Sequence, residues 1–221
     1  MDGLTGKIRI GVLASGRGSN LQSIMDRCGD NSLAAEIVLV LSNNAEAGAL
    51  QRAAAAGIPT LHIDHRAYPT REQFDGRMAQ ALRETRVDLV VLAGFMRLLS
   101  SSFIEAFAGR IINIHPSLLP SFPGLNVQQK ALEHGVRFSG CTVHFVDNGL
   151  DTGPIIIQAV VPVMENDSAE SLSARILAEE HRIYPRAIQL FAEGRLRIEG
   201  RRVRIAPSAD PEEQSLVNPL L

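Results

Sequence analysis

Cysteine is scarce in this chain. Cys28 and Cys141 are the only two, with no CxxC spacing, which excludes a disulfide-stapled fold and reads as two reduced structural thiols. Positive charge is also short. Lys plus Arg number 22 against 24 Asp plus Glu, a net charge of −2, whereas proteins that bind nucleic acid carry a basic excess to neutralise phosphates. No nucleic-acid partner is expected, and the basic GRRVRI stretch near the end reads as a solvated strand. Long apolar runs are missing too. None approaches the roughly 18 to 20 residues of a bilayer span, so no membrane partner is expected. The start, MDGLTGKIRIGVLASG, lacks the pattern of a signal peptide; the expected compartment is the cytoplasm. What is present is ordinary for a globular protein: 221 residues, 45% hydrophobic and 21% charged, enough chain for a sizeable core.

Apolar runs punctuated by turns set out the elements. Residues 8 to 14 (IRIGVLA) read as a buried strand ending at SGRGSN, after which Leu21, Ile24, Met25 and Cys28 recur at helical spacing. A second strand follows at 37 to 41, then an alanine-rich helix from about 45 to 56, stopped by Gly57 and Pro59. A short strand near Thr60 to Ile63 precedes a helix opened by Thr70 with Gln73 at capping-box spacing. DLVVLAG at 88 to 94 is a strand, 101 to 108 a short helix, and Arg110 to Ile114 a further strand. This alternation predicts an α/β, Rossmann-like fold with a mostly parallel sheet flanked by helices. From Gly140 the pattern changes. CTVHFVD and PIIIQAVVPV have little between them and predict antiparallel strands added in the C-terminal half. A long helix is expected from about Ser168, capped by Asp167 with Glu170 in reciprocal position, and bent or broken near Pro185. LRIEGRRVRI reads as a terminal hairpin about Glu199-Gly200. One domain over 1–206 and a loose tail over 207–221 complete the expectation.

Two clusters carry chemistry, both at carboxyl ends of strands, where open α/β sheets bind ligands. The first is SGRGSN. Gly16 and Gly18 let the backbone approach a ligand and offer amides at a helix start to an anion; a plain tight turn is the alternative. A dinucleotide does not fit, because Leu21 replaces the third glycine and the second strand ends in SNN without an acid. No Gly-Lys-Ser/Thr follows either. A single phosphate on the N–H groups of Gly18, Ser19 and Asn20 fits better.

The second cluster is IINIHPSLLP, residues 111 to 120. Alternation along a strand puts Asn113 and His115 on one side and Ile114 on the other. Pro116 keeps His115 extended, and Pro116 with Pro120 restrains the loop. An amide and an imidazole held still suit a reaction that builds charge on a carbonyl oxygen. Asp151, opening DTGP, would orient the imidazole if the fold brings it near; spacing alone does not decide that.

ASGRGSNLQ, LAGFMRLLS, NIHPSLLPSFPG, VHFVDNGLDTGPIIIQ and EEHRIYP together resemble the phosphoribosylglycinamide formyltransferases, from about residue 8 to 204. The resemblance implies formyl transfer from 10-formyltetrahydrofolate, a co-substrate, to the amine of glycinamide ribonucleotide, in de novo purine synthesis, without a metal, by a monomer or homodimer. It matches Asn113, His115 and Asp151 to the catalytic trio, and Gly18, Ser19 and Asn20 to the phosphate site. Glu180 would bind the ribonucleotide's sugar. Arg71, Met96, Arg97, Leu98 and Leu99, the loop Asp147, Asn148, Gly149, Leu150 and Asp151, and Asn113 would form the folate pocket. Helix spacing also singles out Glu180, which falls in the apolar stripe between Ile176 and Ile183, where an ionised carboxylate requires a partner; a slightly rotated helix would instead leave it solvated. Similar chains often carry a polar or basic residue where Leu177 stands, and Arg17 is a candidate to compensate.

Three rivals share features. A methionyl-tRNA formyltransferase would need a further basic domain after Gly194. A formyltetrahydrofolate hydrolase would carry a regulatory domain ahead of the first strand; neither is expected from the chain's layout. A phospho-sugar binding module with a dead site would have no use for the trio. The two histidines of HIDH, at 62 and 65, read as an exposed loop rather than a metal site.

Overall fold

The strands β1 (Ile8–Leu13), β2 (Ala35–Ser42) and β4 (Leu89–Leu92) are buried along nearly their whole length. That is why they read as unbroken apolar runs: a parallel sheet covered on both faces leaves no side for polar residues. The computed structural model describes residues 6–207. Backbone contacts group them into two compact units that divide after Asn113, where the sequence suggests one domain. Of the expected tail, residues from 208 on lie outside the described part.

In the first unit, helices α1 (Ser19–Gly29), α2 (Gly48–Ala55), α3 (Arg71–Glu84) and α4 (Ser101–Ala106) alternate with the strands. With β3 (Thr60–His62) and β5 (Ile111–His115), the strand order is β3-β2-β1-β4-β5, every pairing parallel. The order reverses between β1 and β4, so the loops leaving these two strands part and open a crevice at their carboxyl ends. Backbone bonds knit that point together: Ser15 N–H donates to Gly94 O at 3.0 Å and Ala93 N–H to Leu13 O at 2.9 Å. Thr70 caps α3 as expected, accepting from Gln73 N–H at 3.3 Å.

In the second unit, β6 (Phe138–Phe145) and β7 (Ile155–Pro162) form an antiparallel pair. β9 (Arg202–Ile205) joins β7 in parallel and β8 (Leu196–Glu199) in antiparallel sense. The long helix α6 (Ala169–Ala192) lies against β6 and β7 with Leu172, Ile176, Ile183, Tyr184, Ala187 and Ile188 buried. A short helix, α5 (Val127–Glu133), was not expected from the sequence.

Two features of α6 differ from the sequence reading. Ser168, not Asp167, is the N-cap, and it forms its capping box with Ser171 rather than Glu170. Asp167 is drawn off by Arg175, whose guanidinium reaches both carboxylate oxygens at 2.7 and 2.9 Å. That pair, with Met164 N–H at 2.7 Å, holds its carboxyl well below the usual range. Nor does the helix break at Pro185, which lies inside it. Its missing N–H removes one ladder bond, but Ile183 to Pro185 and Ala187 to Ile188 are all buried, so packing holds the axis together.

Both cysteines are free thiols kept protonated by their surroundings. Burial pushes Cys28 up to about 11. Cys141, on the face of β6 toward α6, is pushed higher still by burial and then by Glu180 and Glu179.

Candidate active site

The loop after β5 is frozen by more than its prolines. Thr142, fully buried on β6, donates to Ser117 O at 2.7 Å and accepts from Leu119 N–H at 3.1 Å. Gln158 of β7 donates to Leu119 O at 2.9 Å. Ser117 Oγ reaches Ser121 O at 2.6 Å, and the Leu119–Pro120 peptide is cis. The polar threonine inside an apolar strand is therefore a clamp for the loop that leaves His115.

His115 is the last residue of β5, two after Asn113, with Ile114 between them. Its ring is buried and both nitrogens meet protein acceptors. Nε2 lies 2.9 Å from Phe122 O, which can only accept, so this nitrogen carries a proton. Nδ1 lies 3.4 Å from Asp151 Oδ2. Both ring nitrogens are therefore turned to protein acceptors, and neither points into open space.

Asp151 is held as firmly. Its backbone sits in the left-handed region, φ 55°, a conformation that aspartate tolerates better than most residues. Oδ2 also accepts from Gly124 N–H at 2.9 Å, and Oδ1 faces His144 Nε2 at 3.8 Å. Strained backbone fixed by several contacts is a recurrent mark of functional sites.

His144 was not singled out in the sequence. It hides in an apolar strand, and the available signal was its place in VHFVDNGLD, seven residues before Asp151. It is 2% exposed, and Nδ1 lies 2.9 Å from Phe145 O, so Nδ1 carries the proton and Nε2 turns a lone pair toward Asp151. Burial pushes this imidazole below its ordinary value, with the Phe145 bond and then Asp151 opposing. Unfolded, it takes up a proton near about pH 6.5; folded, it does so only at lower pH. Its contribution to stability is therefore present above that unfolded value and falls as pH drops toward the depressed folded value. Urea unfolding at pH 7.5 and 5.5 should show a smaller acid loss for His144→Gln than for the parent; an equal or larger loss would refute the assignment.

The other predicted residues fall as follows. Gly18 is the N-cap of α1 in the left-handed conformation, φ 77°, and a Cβ there would press on the backbone of Ala49 at 2.7 Å. Glycine alone fits, and the turn aims the first amides of α1, Ser19 and Asn20 among them, along the helix axis. A cleft of about 470 Å³ lies beside it, lined by Arg17, Asn44, Gly48 and Arg52 among others. Arg71 opens α3 with its guanidinium 3.8 Å from Glu72. Met96 and Leu98 are 68% and 59% exposed, while Arg97 stacks over Phe74 at 5.5 Å. Asp147 turns inward on its own loop, accepting from Gly149 N–H at 3.1 Å and Thr152 Oγ1 at 2.6 Å. Gly149 is so close to the Thr152 side chain that a Cβ would collide with it. Leu150 and Asn148 are exposed. Glu180 is buried in the α6 stripe, which removes the solvated alternative. Among the described residues no cluster of His, Cys, Asp and Glu suits a metal ion, and no helix is long and apolar enough to cross a membrane.

Residues 8–188 match the model of the formyl transferase family. The chain belongs to that family. Within it, the formyl transferase described here is 47% identical over 191 residues to phosphoribosylglycinamide formyltransferase of Escherichia coli strain K12, covering 86% of this chain and 90% of that protein. It superposes on the crystal structure of glycinamide ribonucleotide transformylase 1 from Symbiobacterium toebii with a TM-score of 0.90 at 59% identity, covering 91% and 95% of the two chains. It is 53% identical over 191 residues to the trifunctional purine biosynthetic protein adenosine-3 of Drosophila pseudoobscura pseudoobscura. That match covers 86% of this chain, which spans only 14% of the trifunctional protein's length.

Proposed function

We propose that this formyl transferase moves the formyl group of 10-formyltetrahydrofolate onto the primary amine of glycinamide ribonucleotide, in purine synthesis. The products are N-formylglycinamide ribonucleotide and tetrahydrofolate. The observation that carries the reading is the buried His115–Asp151 pair at 3.4 Å, one strand alternation from Asn113, in a chain of this family.

The amine nitrogen attacks the formyl carbon, forming a C–N bond and placing negative charge on the formyl oxygen. Asn113 donates to that oxygen, and the charge of His115 stabilises it through the site's field. Asp151 keeps His115 protonated and helps carry a proton from the attacking amine to the departing folate nitrogen. The bond from formyl carbon to that nitrogen then breaks. No covalent enzyme intermediate is required, because an amine attacks a formyl group directly.

Gly18, Ser19 and Asn20 hold the ribonucleotide's phosphate and Glu180 its sugar. Arg71, the segment Met96 to Leu99, the loop Asp147 to Asp151, and Asn113 hold the folate. Arg17, between the two loop glycines, adds positive charge where Leu177 adds none.

The test is to mix the protein with 10-formyltetrahydrofolate, with and without glycinamide ribonucleotide, and to follow deformylated folate. Release that depends on the ribonucleotide is the expected result. Release without it would make the protein a hydrolase, and no release in either mixture would make it a binding module.

A further inference from the structure

One buried carboxylate in the first unit takes no part in the proposed chemistry. Asp75, in the second turn of α3, is 1% exposed. It accepts a hydrogen bond from the backbone N–H of Ser100, 25 residues away in sequence. Ser100 is itself buried and is the N-cap of α4. Its side chain makes no cap bond to that helix and instead meets Ser102 Oγ at 3.1 Å.

Between β4 and α4 the chain runs through Met96, Arg97, Leu98 and Leu99 with no ladder of its own. Two side chains pin it. At the near end Ser15 Oγ accepts from Met96 N–H at 3.0 Å while itself donating to Asn43 Oδ1 at 2.6 Å. At the far end the pin is Asp75. Three residues lie between the pinned amides of Met96 and Ser100, and two large apolar side chains of the segment, Met96 and Leu98, are left more than half exposed. Such exposure is expected of a ligand-contacting segment and needs a rigid frame to hold it against collapse onto the surface.

The same carboxylate reaches two cations electrostatically. Burial pushes its carboxyl up, opposed by the bond with Ser100 and then by the charges of Arg71, one turn earlier on α3, and Arg97, stacked over the Phe74 ring. Phe74 is in turn met edge-on by His65 and Tyr68, with ring centroids 6.1 and 5.9 Å away. The Arg97 side chain is thus held by packing against this ring cluster.

We propose that Asp75 is a positioning residue for folate binding: by holding Ser100 N–H at the far end of the Met96 to Leu99 segment, it fixes the shape of that segment. This rests on the reading that Arg71 and that segment contact the folate. The carboxylate itself touches neither substrate. Losing it should therefore weaken folate capture without disturbing the ribonucleotide or the chemical step.

The experiment is a steady-state comparison of Asp75→Ala and Asp75→Asn with the parent, varying each substrate at saturating levels of the other. Asp75→Ala should raise KM for 10-formyltetrahydrofolate about tenfold, the scale of one lost hydrogen bond to a charged group. The ribonucleotide KM and kcat should stay within about twofold. Asp75→Asn, which keeps an acceptor for Ser100 but not the charge, should fall between. It also serves as the folded probe if Asp75→Ala melts. A rise in both KM values together, or a fall in kcat at unchanged folate KM, would overturn the proposal. Met96→Ala and Leu98→Ala test the underlying reading separately. If both leave the folate KM unchanged, the segment is not part of the folate pocket, whatever Asp75 does.

Discussion

Asp151→Asn should lower kcat by about 10²- to 10⁴-fold, the range of a positioned acid–base group, while the protein stays folded. Asparagine is the right probe because it tolerates the left-handed backbone that Asp151 adopts at φ 55°. Its amide oxygen can still accept from Gly124 N–H, so the loop keeps its anchor. What disappears is the negative charge facing His115 Nδ1 and, through the other oxygen, His144 Nε2. Nε2 of His115 keeps its contact with Phe122 O, so the change falls on the Nδ1 side of the ring. Steady-state kinetics at saturating substrates, beside a thermal melt, would check this. Turnover near that of the parent would remove Asp151 from the proton path.

Asn113→Ala should cost about 10²- to 10³-fold in kcat, as the loss of one oxyanion donor does elsewhere, with the ribonucleotide KM changed little. Asn113 is paired in the sheet through its backbone with Leu92, so truncating its side chain leaves the strand in register. A stricter version is Asn113→Asp. The size is preserved, but at neutral pH the new group accepts and repels where the amide donated. Its kcat should fall at least as far as that of the alanine variant. An aspartate variant faster than the alanine variant would show that donation to an anionic oxygen is not what Asn113 supplies.

Both loops at the heart of these predictions were legible because strand alternation and proline or glycine chemistry are local. SGRGSN reads as the end of a buried strand, and Asn113 and His115 as one side of another, from local pattern alone. The parallel-then-antiparallel plan was legible for the same reason: helices separate the early strands, and almost nothing separates CTVHFVD from PIIIQAVVPV. What was not legible depended on partners distant in sequence. The cap of α6 moved from Asp167 to Ser168 because Arg175 claims the aspartate, and no capping rule includes that competitor. The short helix α5 buries only Val127 and Ala131, too few positions to show a period. His144 and Thr142 read as strand filler in the sequence, because only the folded chain brings β6 against the loop that follows His115. The approach of Asp151 to His115 crosses 36 residues and a left-handed turn, which no spacing encodes.

Two thiols that stay protonated at neutral pH, Cys28 half-buried and Cys141 buried, make this protein a convenient host for site-selective labelling. At pH 7 a thiol titrating near 11 is ionised in only about one molecule in ten thousand, as at Cys28, and Cys141 is lower still. A cysteine introduced at Leu150, half exposed on its loop, would outcompete both for a maleimide dye. The native sequence would then need no prior removal of its own cysteines before fluorescence could follow that loop during turnover.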